Sequence, residues 1–222
     1  LAEKYYGKIP KKSLVQRSWA KEPQHTASRR IIIKDNRVNH PSWRRTYLAP
    51  SLKWGDTRLA HPLELIADIF GGGTTSLLFK NLVIKKKVAT SIGAYYRGDG
   101  RGPGRFIIYA QPQENVSIEQ LEKQIKSEIT LLIQNGISEN ELARSKKRLT
   151  AAAIFARDSV SGGANTLGST LASGLSIEDV ESWPDKISNV TEANINKAIE
   201  MVFDEKQSVT GILLPDLNQN KN

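Results

Sequence analysis

The sequence predicts an α+β fold in which helices pack on one face of a mostly antiparallel sheet. Two observations carry this prediction. Short β-branched or alternating runs occur near both ends of the 222-residue chain, and runs with helical apolar spacing fill its second half. The elements follow in the order β-β-α-α-β-β-α-α-α-α-β, in which paired strands and runs of helices favour a layered α+β domain.

The first two strands are predicted from their residue types and from the proline that ends the second strand. The run "RRIIIKD" (29–35) is β-branched, as strands are. The run "SWRRTYLAP" (42–50) alternates loosely between polar and apolar residues and ends at Pro50. Because proline cannot donate to a strand ladder, Pro50 marks the end of the second strand.

The stretch "HPLELIADIFGGG" (61–73) predicts a buried helix. Pro62 suits the first helical turn, where its missing N–H costs nothing. The following residues are apolar on most sides, which is typical of a helix inside a core. The glycine triplet ends this helix, and a second helix is predicted from about Thr75 to Lys86.

An antiparallel hairpin is predicted next. Its strands are "VATSIGAYYR" and "RFIIYAQP", joined by the glycine-rich loop "GDGRGPG". Both this loop and "GGGTTS" offer backbone N–H groups that could bind an anion. The first lies between two strands and the second lacks the Gly-Lys-Ser/Thr ending of a P-loop, so turn roles are favoured for both.

The second half carries clear helix-start signals. Ser117 with Gln120 matches a capping box, and so does Ser138 with Glu141. Further N-cap candidates are Ser176 and Thr191. One apolar stripe follows the first cap, at Ile118, Leu121, Ile125, Ile129 and Leu132. Gly136 closes that helix, and "QSVTGILLP" returns as the last strand.

The positive charge is concentrated at the start of the chain. Residues 1–58 hold fourteen Lys/Arg against four Asp/Glu, whereas the remainder holds eighteen against nineteen. A nucleic-acid-binding domain more often carries its basic residues on folded elements, so that function is disfavoured. The run "RSKKR" (144–148) follows Glu139 and Glu141 on a predicted helix, and i,i+4 pairing on a solvated face is the favoured interpretation.

Composition limits other function classes. The chain has no cysteine, which excludes disulfides and thiolate metal sites. No apolar run approaches the roughly 20 residues of a membrane span, and nothing at the start resembles a signal peptide. Because the chain begins at Leu1 and its only methionine is Met201, we expect a fragment or a processed product.

Several segments together resemble one family. They are "YYGKIP", "LELIADIFGGGTTSLLFKNLVIKKKVATSIGAYY", "GISENELARSKKRL" and "LASGLSIEDVESWPDKISNVTEANI". In this order they resemble the C-terminal half of the pitrilysin/insulinase-type zinc metallopeptidases, the inverzincins. The resemblance implies one half of a two-domain clamshell peptidase. It divides the chain into the tail of a preceding N-terminal domain (1–14), a linker (15–28) and the C-terminal α+β domain (29–222).

The resemblance also implies that zinc lies elsewhere. Such peptidases bind zinc through His-x-x-Glu-His in their N-terminal half. Here His61 and Glu64 are present, but Leu65 stands where the second histidine should be, and Pro62 places His61 at the helix boundary. We therefore expect no catalytic residue, metal ligand or cofactor in this chain, with His61 as a cap or surface residue. Glu64 is expected to be a first-turn acid that the helix dipole favours.

The resemblance also raises the question of a substrate-assisting pair of residues in this half. Many relatives supply an Arg and, seven residues later, a Tyr from this half, which donate hydrogen bonds where negative charge develops. Those positions here are Val83 and Thr90, so the roles do not carry over. Lys86 and Lys87 share the helical face of Val83, and Tyr96 shares the strand face of Thr90. The candidate substrate-binding residues are Lys86, Lys87, Thr90 and Tyr96; a solvated lysine run and an ordinary sheet aromatic are the simpler interpretation.

The leading functional hypothesis is a non-catalytic C-terminal domain of a zinc metalloendopeptidase. It would wall the chamber and help position peptide substrate for hydrolysis by zinc held in an N-terminal half. The alternative is a non-enzymatic scaffold or regulatory subunit paired with an active peptidase. The expected partners are that N-terminal half or a homologous subunit and a peptide; a dimer is an open alternative, because the sequence does not give the oligomeric state. The sequence does not assign a compartment; the resemblance is compatible with the bacterial periplasm or an organelle of bacterial origin.

Overall fold

The protein is described by a computed structural model that covers residues 1–10, 23, 25–156, 158–159 and 161–216. Its strands are β1 (Arg29–Asp35), β2 (Ser42–Ala49), β3 (Ala89–Arg97), β4 (Gly104–Pro112) and β5 (Ser208–Pro215). They form one sheet in the order β1-β5-β2-β4-β3. β1 runs parallel to β5 and the other neighbours are antiparallel, so the predicted mostly antiparallel sheet is confirmed.

Eight α-helices are seen in the described residues. They are α1 (Ala2–Tyr6), α2 (Ala60–Gly71), α3 (Ile118–Asn135), α4 (Glu139–Ala156), α5 (Gly162–Ala172), α6 (Ile177–Glu181), α7 (Trp183–Ser188) and α8 (Glu192–Val202). Four helices were predicted after the hairpin, and the described residues form six, α3 to α8. The helix predicted from Ser176 breaks into α6 and α7 because Pro184, in the first turn of α7, has no N–H to continue the ladder. No sequence signal predicts α5.

The helices pack on one face of the sheet. Along β2, Trp43, Arg45, Tyr47 and Ala49 are buried while the residues between them are more exposed. Phe203, at the end of α8, contacts the rings of this face: its centroid lies 5.3 Å from Tyr47 and 5.0 Å from Phe106. The predicted alternation of β2 therefore separates a helix-covered face from an open one.

Helix α2 forms the centre of the core, as its apolar sequence predicts. Nine of its twelve residues are buried. A Cβ atom on Gly71 would overlap the backbone of Ala94 in β3, so glycine allows the end of α2 to lie directly on the sheet. This close contact fixes the C-terminal end of α2 against β3, whereas His61 and Glu64 lie nearer its N-terminal end.

The second predicted helix differs from expectation. Residues 72–76 form a bend and turn, and Phe79–Lys85 then form a π-helical segment. The amide of Lys86 donates to the Asn81 carbonyl over 2.9 Å, which is the i→i−5 bond of a π-turn. Lys87 follows with a left-handed φ of 51° and reverses the chain into β3.

A buried ionic group joins α3 to three strands. The Arg45 guanidinium donates to Glu122 over 2.7 Å and to the Thr210 hydroxyl over 2.9 Å, and Arg30 also binds Glu122. Only 5% of the Arg45 side chain is exposed. Because α3 begins at the predicted capping box, with Ser117 and Gln120 each bonding the other's backbone, Glu122 is placed in the first turns facing the sheet.

The predicted divisions of the chain are only partly covered. Helix α1 lies in the predicted tail and its residues are exposed. Residues 11–14 of that tail, most of the predicted linker 15–28, and residues 217–222 lie outside the described residues. The domain boundaries stay predictions. Within the described residues, no helix combines the length and apolarity that a membrane crossing requires.

Candidate functional site

Lys86, the first candidate substrate-binding residue, is engaged within the domain. Its ammonium donates to Glu128 of α3 over 2.8 Å and to Gln124 over 3.0 Å. Glu128 is buried and also accepts from the Asn81 amide over 2.7 Å. Because an unpaired buried carboxylate is costly, Lys86 has a structural role in neutralising Glu128.

Lys87 and Thr90 are both exposed. A β-bulge between Ala89 and Ser91 interrupts the pairing of β3 with β4. A bulge adds one residue to the strand, so the even spacing from Thr90 to Tyr96 no longer places them on one face. That step of the sequence argument is therefore wrong, whereas the proposed roles of the two residues in substrate binding remain predictions.

Tyr96 lies on the helix-covered face and is half-buried. Its hydroxyl donates to the Pro50 carbonyl over 2.6 Å. Burial, together with the negative charges of Glu64 and Asp99, raises the pKa of the Tyr96 phenol. In the described part of the chain, no hydrogen bond or ion pair joins Tyr96 to Lys86, Lys87 or Thr90.

His61 and Glu64 lie closer together than expected. Because a 3₁₀ turn at Thr57–Leu59 precedes α2, the helix already includes Ala60, and His61 is inside it and not at its boundary. Its Nδ1 lies 3.6 Å from Glu64 Oε1, and only 12% of the His61 side chain is exposed. The expectation of a cap or surface histidine is therefore wrong.

This pair does not form a metal site. Leu65, in the position of the missing ligand, is fully buried in the core. Across the described ranges, no three His, Asp or Glu side chains are grouped as metal ligands. Zinc requires about three protein ligands in a defined geometry, and the residues around His61 do not fit it.

Glu64 instead accepts a hydrogen bond from a distant part of the chain. The Trp183 indole N–H donates to Glu64 Oε2 over 2.7 Å. Beside this bond lies a cavity of about 790 Å³, to which α2, α4, α5, α6 and α7 all contribute side chains. A smaller cavity of about 450 Å³ adjoins it, and Glu64 and Asp99 line both.

Sequence reasoning missed Trp183, Asp99 and Glu181 of this cavity. Asp99 lies in the glycine-rich loop, which the sequence identifies only as a hairpin connection. Trp183 stands beside Pro184 at a helix start, and an indole N–H that becomes buried needs an acceptor. That requirement was the one available signal, and it does not reveal which carboxylate is the acceptor.

The basic run 144–148 also has structural contacts. The Lys146 ammonium donates to the Ser188 carbonyl at the end of α7 over 2.8 Å. Arg148 forms an ion pair with Asp68 of α2. Two members of the run therefore hold α4 against its neighbours, in place of the predicted pairing with upstream glutamates.

Comparison with known sequences gives a family match. The model of the family described as "Peptidase M16 inactive domain" matches residues 1–149. A Rickettsia felis protein named "Uncharacterized zinc protease" is 29% identical over 140 residues, which cover 63% of this chain and 33% of that protein. The chain thus spans about a third of the length of this curated relative.

Comparison with solved structures shows the same fold. A protease from Helicobacter pylori superposes with a TM-score of 0.86 at 20% identity, covering 96% of this chain and 50% of the other. The peptidase M16 inactive domain from Pseudomonas fluorescens gives a TM-score of 0.69 at 16% identity, covering 92% and 47%. The described fold therefore corresponds to about half of each of these chains.

Proposed function

The chain belongs to the Peptidase M16 inactive-domain family, and we propose that it is the non-catalytic C-terminal half of a zinc metalloendopeptidase. In this proposal it pairs with an N-terminal half that holds zinc and hydrolyses the peptide bond. The chain described here walls the chamber between the halves and helps position an unfolded peptide.

One observation carries this proposal. The fold matches half of the Helicobacter pylori protease chain, and α2 directs its side chains into its own core. Leu63, Leu65 and Ile66 are fully buried, so this helix offers an apolar surface and no set of ligands. A domain of this kind can contribute shape and contacts to a peptidase while the metal chemistry belongs to another half.

The sheet edge offers a surface for pairing. Ile31, Ile32 and Ile33 of β1 are each more than half exposed, and β1 has a strand neighbour, β5, on one side. Contiguous exposed apolar residues are typical of interaction sites, and an edge strand has unpaired N–H and C=O groups. These features support a partner at the β1 edge.

Reconstitution tests the proposal. The purified chain is mixed with a separately purified N-terminal half, and cleavage of a quenched-fluorescent peptide is followed with and without a zinc chelator. We expect cleavage that requires both halves and zinc. Ile33→Glu at the β1 edge should weaken reconstitution, whereas the matched Met201→Glu on α8 should not. Chelator-sensitive cleavage by this chain alone would overturn the division of roles.

The second candidate is a non-enzymatic scaffold or regulatory subunit paired with an active peptidase. Val83 and Thr90 favour it, because they stand where a substrate-assisting Arg and Tyr would be expected. Lys87→Ala and Thr90→Ala discriminate the two candidates. A raised KM for peptide, with kcat little changed, supports substrate binding by this half, and unchanged kinetics support the scaffold.

A further inference from the structure

The larger cavity beside Glu64 has the dimensions of a ligand site. Its volume of about 790 Å³ lies within the range of roughly 300–1,000 Å³ that is common for small-ligand pockets. It opens between Glu64 of α2, the end of α4, and α5 to α7. We call it the α5–α7 cavity.

The lining of the α5–α7 cavity is largely apolar. Aliphatic side chains come from Leu167 of α5, Leu175 after it, and Val180 of α6, with Leu52 opposite. The Trp183 ring adds an aromatic surface, and its N–H is already bonded to Glu64. An apolar stem inserted here would remove hydrocarbon surface from water.

Carboxylates also line this cavity. Asp179 has its own partners, since it accepts from Ser176 and from Lys186. Within the described ranges, Asp99 and Glu181 accept no hydrogen bond and form no ion pair. Asp99 and Glu64 act together on one group, because both negative charges contribute to the raised pKa of Tyr96. The cavity therefore combines an apolar wall with uncompensated negative charge.

We propose that the α5–α7 cavity binds a lysine or arginine side chain of a peptide, together with a neighbouring apolar residue. The aliphatic stem packs on Leu167 and Leu175, and the cationic head lies between Asp99, Glu181 and Glu64. The Trp183 ring is available to the same cation. The choice of a peptide as the ligand rests on the proposed function; the preference for a cation rests on the cavity.

Basic side chains near the cavity have other partners. Arg101 donates to the Ala172 carbonyl at the end of α5 over 2.9 Å, and Lys186 pairs with Asp179. Arg97 lines the smaller adjoining cavity, and its guanidinium lies 5.4 Å from the centre of the Tyr95 ring. It is not among the residues that line the α5–α7 cavity. Among the described residues, the charged groups that line the α5–α7 cavity are the carboxylates of Glu64, Asp99, Asp179 and Glu181.

A matched peptide series tests the proposal on the complete 222-residue chain. The probe is a fluorescein-labelled peptide of alternating glycine and serine with Leu-Lys-Leu at its centre. Two comparison peptides carry norleucine or glutamate in place of the lysine. We expect fluorescence anisotropy to show the lysine peptide binding at least about tenfold more tightly than the norleucine peptide, and the glutamate peptide most weakly.

Charge-neutralising variants locate the site. Asp99→Asn and Glu181→Gln should each weaken the lysine peptide by about three- to tenfold, as expected for losing one partly exposed charge, without affecting the norleucine peptide. Glu178→Gln is the matched control, because Glu178 lies on α6 and does not line the cavity. Leu167→Ala should weaken the lysine and norleucine peptides alike.

The outcomes separate this inference from the proposed function. Equal affinity for the lysine and norleucine peptides, or an equal effect of Glu178→Gln and Glu181→Gln, overturns the cation site. Restored cleavage with the N-terminal half in such a case leaves the peptidase role intact. Lysine-selective binding that is lost in Asp99→Asn supports the site, even if reconstitution fails and the proposed function falls.

Discussion

Helices α2 and α5 are of similar length and are held in opposite ways. Helix α2 buries nine of its twelve residues, whereas α5 buries none of its eleven. The sheet-packed layer around α2 depends on apolar burial. In the cavity layer, α6 begins at a capping box, and α5 has neither buried residues nor a side-chain cap. Segments with little burial open at a lower free energy, so the layer that surrounds the cavity can adjust around a ligand.

The largest expected difference between the layers is in stability after truncation of an apolar side chain. Phe106 is fully buried against Phe203, so Phe106→Ala should lower the free energy of unfolding by about 3–5 kcal/mol. Leu171 of α5 is half exposed, and Leu171→Ala should change the free energy of unfolding by less than about 0.5 kcal/mol. Urea denaturation measures both. Similar losses would show that α5 is packed as firmly as the core.

Removing an ion pair should also cost much more stability in the sheet-packed layer than in the cavity layer. Glu122→Leu leaves the buried Arg45 charge without its carboxylate, and a loss of about 3 kcal/mol is expected. In the cavity layer, Lys186→Met removes a solvent-screened pair with Asp179, for which about 0–1 kcal/mol is expected. Glu200→Gln, exposed on α8, is the control for surface charge. If Glu122→Leu were as mild as Lys186→Met, the buried group would not be needed to join α3 to the sheet.

Removing helix caps should give a smaller difference in stability between the two layers. Ser117→Ala removes the cap of the long helix α3 and should cost about 1 kcal/mol of global stability. Ser176→Ala removes the same motif from the five-residue α6, and its effect should appear as faster amide exchange in α6 with little global change. Ser127→Ala, exposed inside α3, controls for the loss of a hydroxyl. If Ser176→Ala lowered the free energy of global unfolding as much as Ser117→Ala, the two layers would unfold together.

Local signals explain which parts of the fold the sequence predicted. The bounds of β1, the cap at Ser117 and the end of α3 at Gly136 were all predicted, because each depends on a few neighbouring residues. The insertion of β5 between β1 and β2 was not, because strand order depends on pairing across the length of the chain. The sequence 162–172, rich in glycine, serine and threonine, has no apolar stripe that would predict α5.

The candidate site was harder to predict for the same reason. The bond between Trp183 and Glu64 joins residues 119 positions apart. The sequence identified Glu64 through a resemblance to a zinc motif, whereas its observed partner is an indole N–H. Lys86 was noted for its charge, and its pairing with the buried Glu128 depends on how α3 lies against the π-helical segment. Such partners follow from packing, which a single sequence does not specify.

The smallest predicted effect concerns acid titration of the cavity layer. Hydrogen bonds from the Ser176 backbone and hydroxyl lower the pKa of Asp179 from 3.8 to about 2. Because the folded pKa is depressed, ionised Asp179 stabilises the cap above pH 3.8, and this contribution is lost as the pH falls to about 2. Side-chain NMR titration should therefore give Asp179 a midpoint near 2, and Ser176→Ala should move it back toward 3.8. A wild-type midpoint already at 3.8 would mean that the α6 cap does not form in solution, and that this wall of the cavity is less ordered than α2 by more than its burial implies.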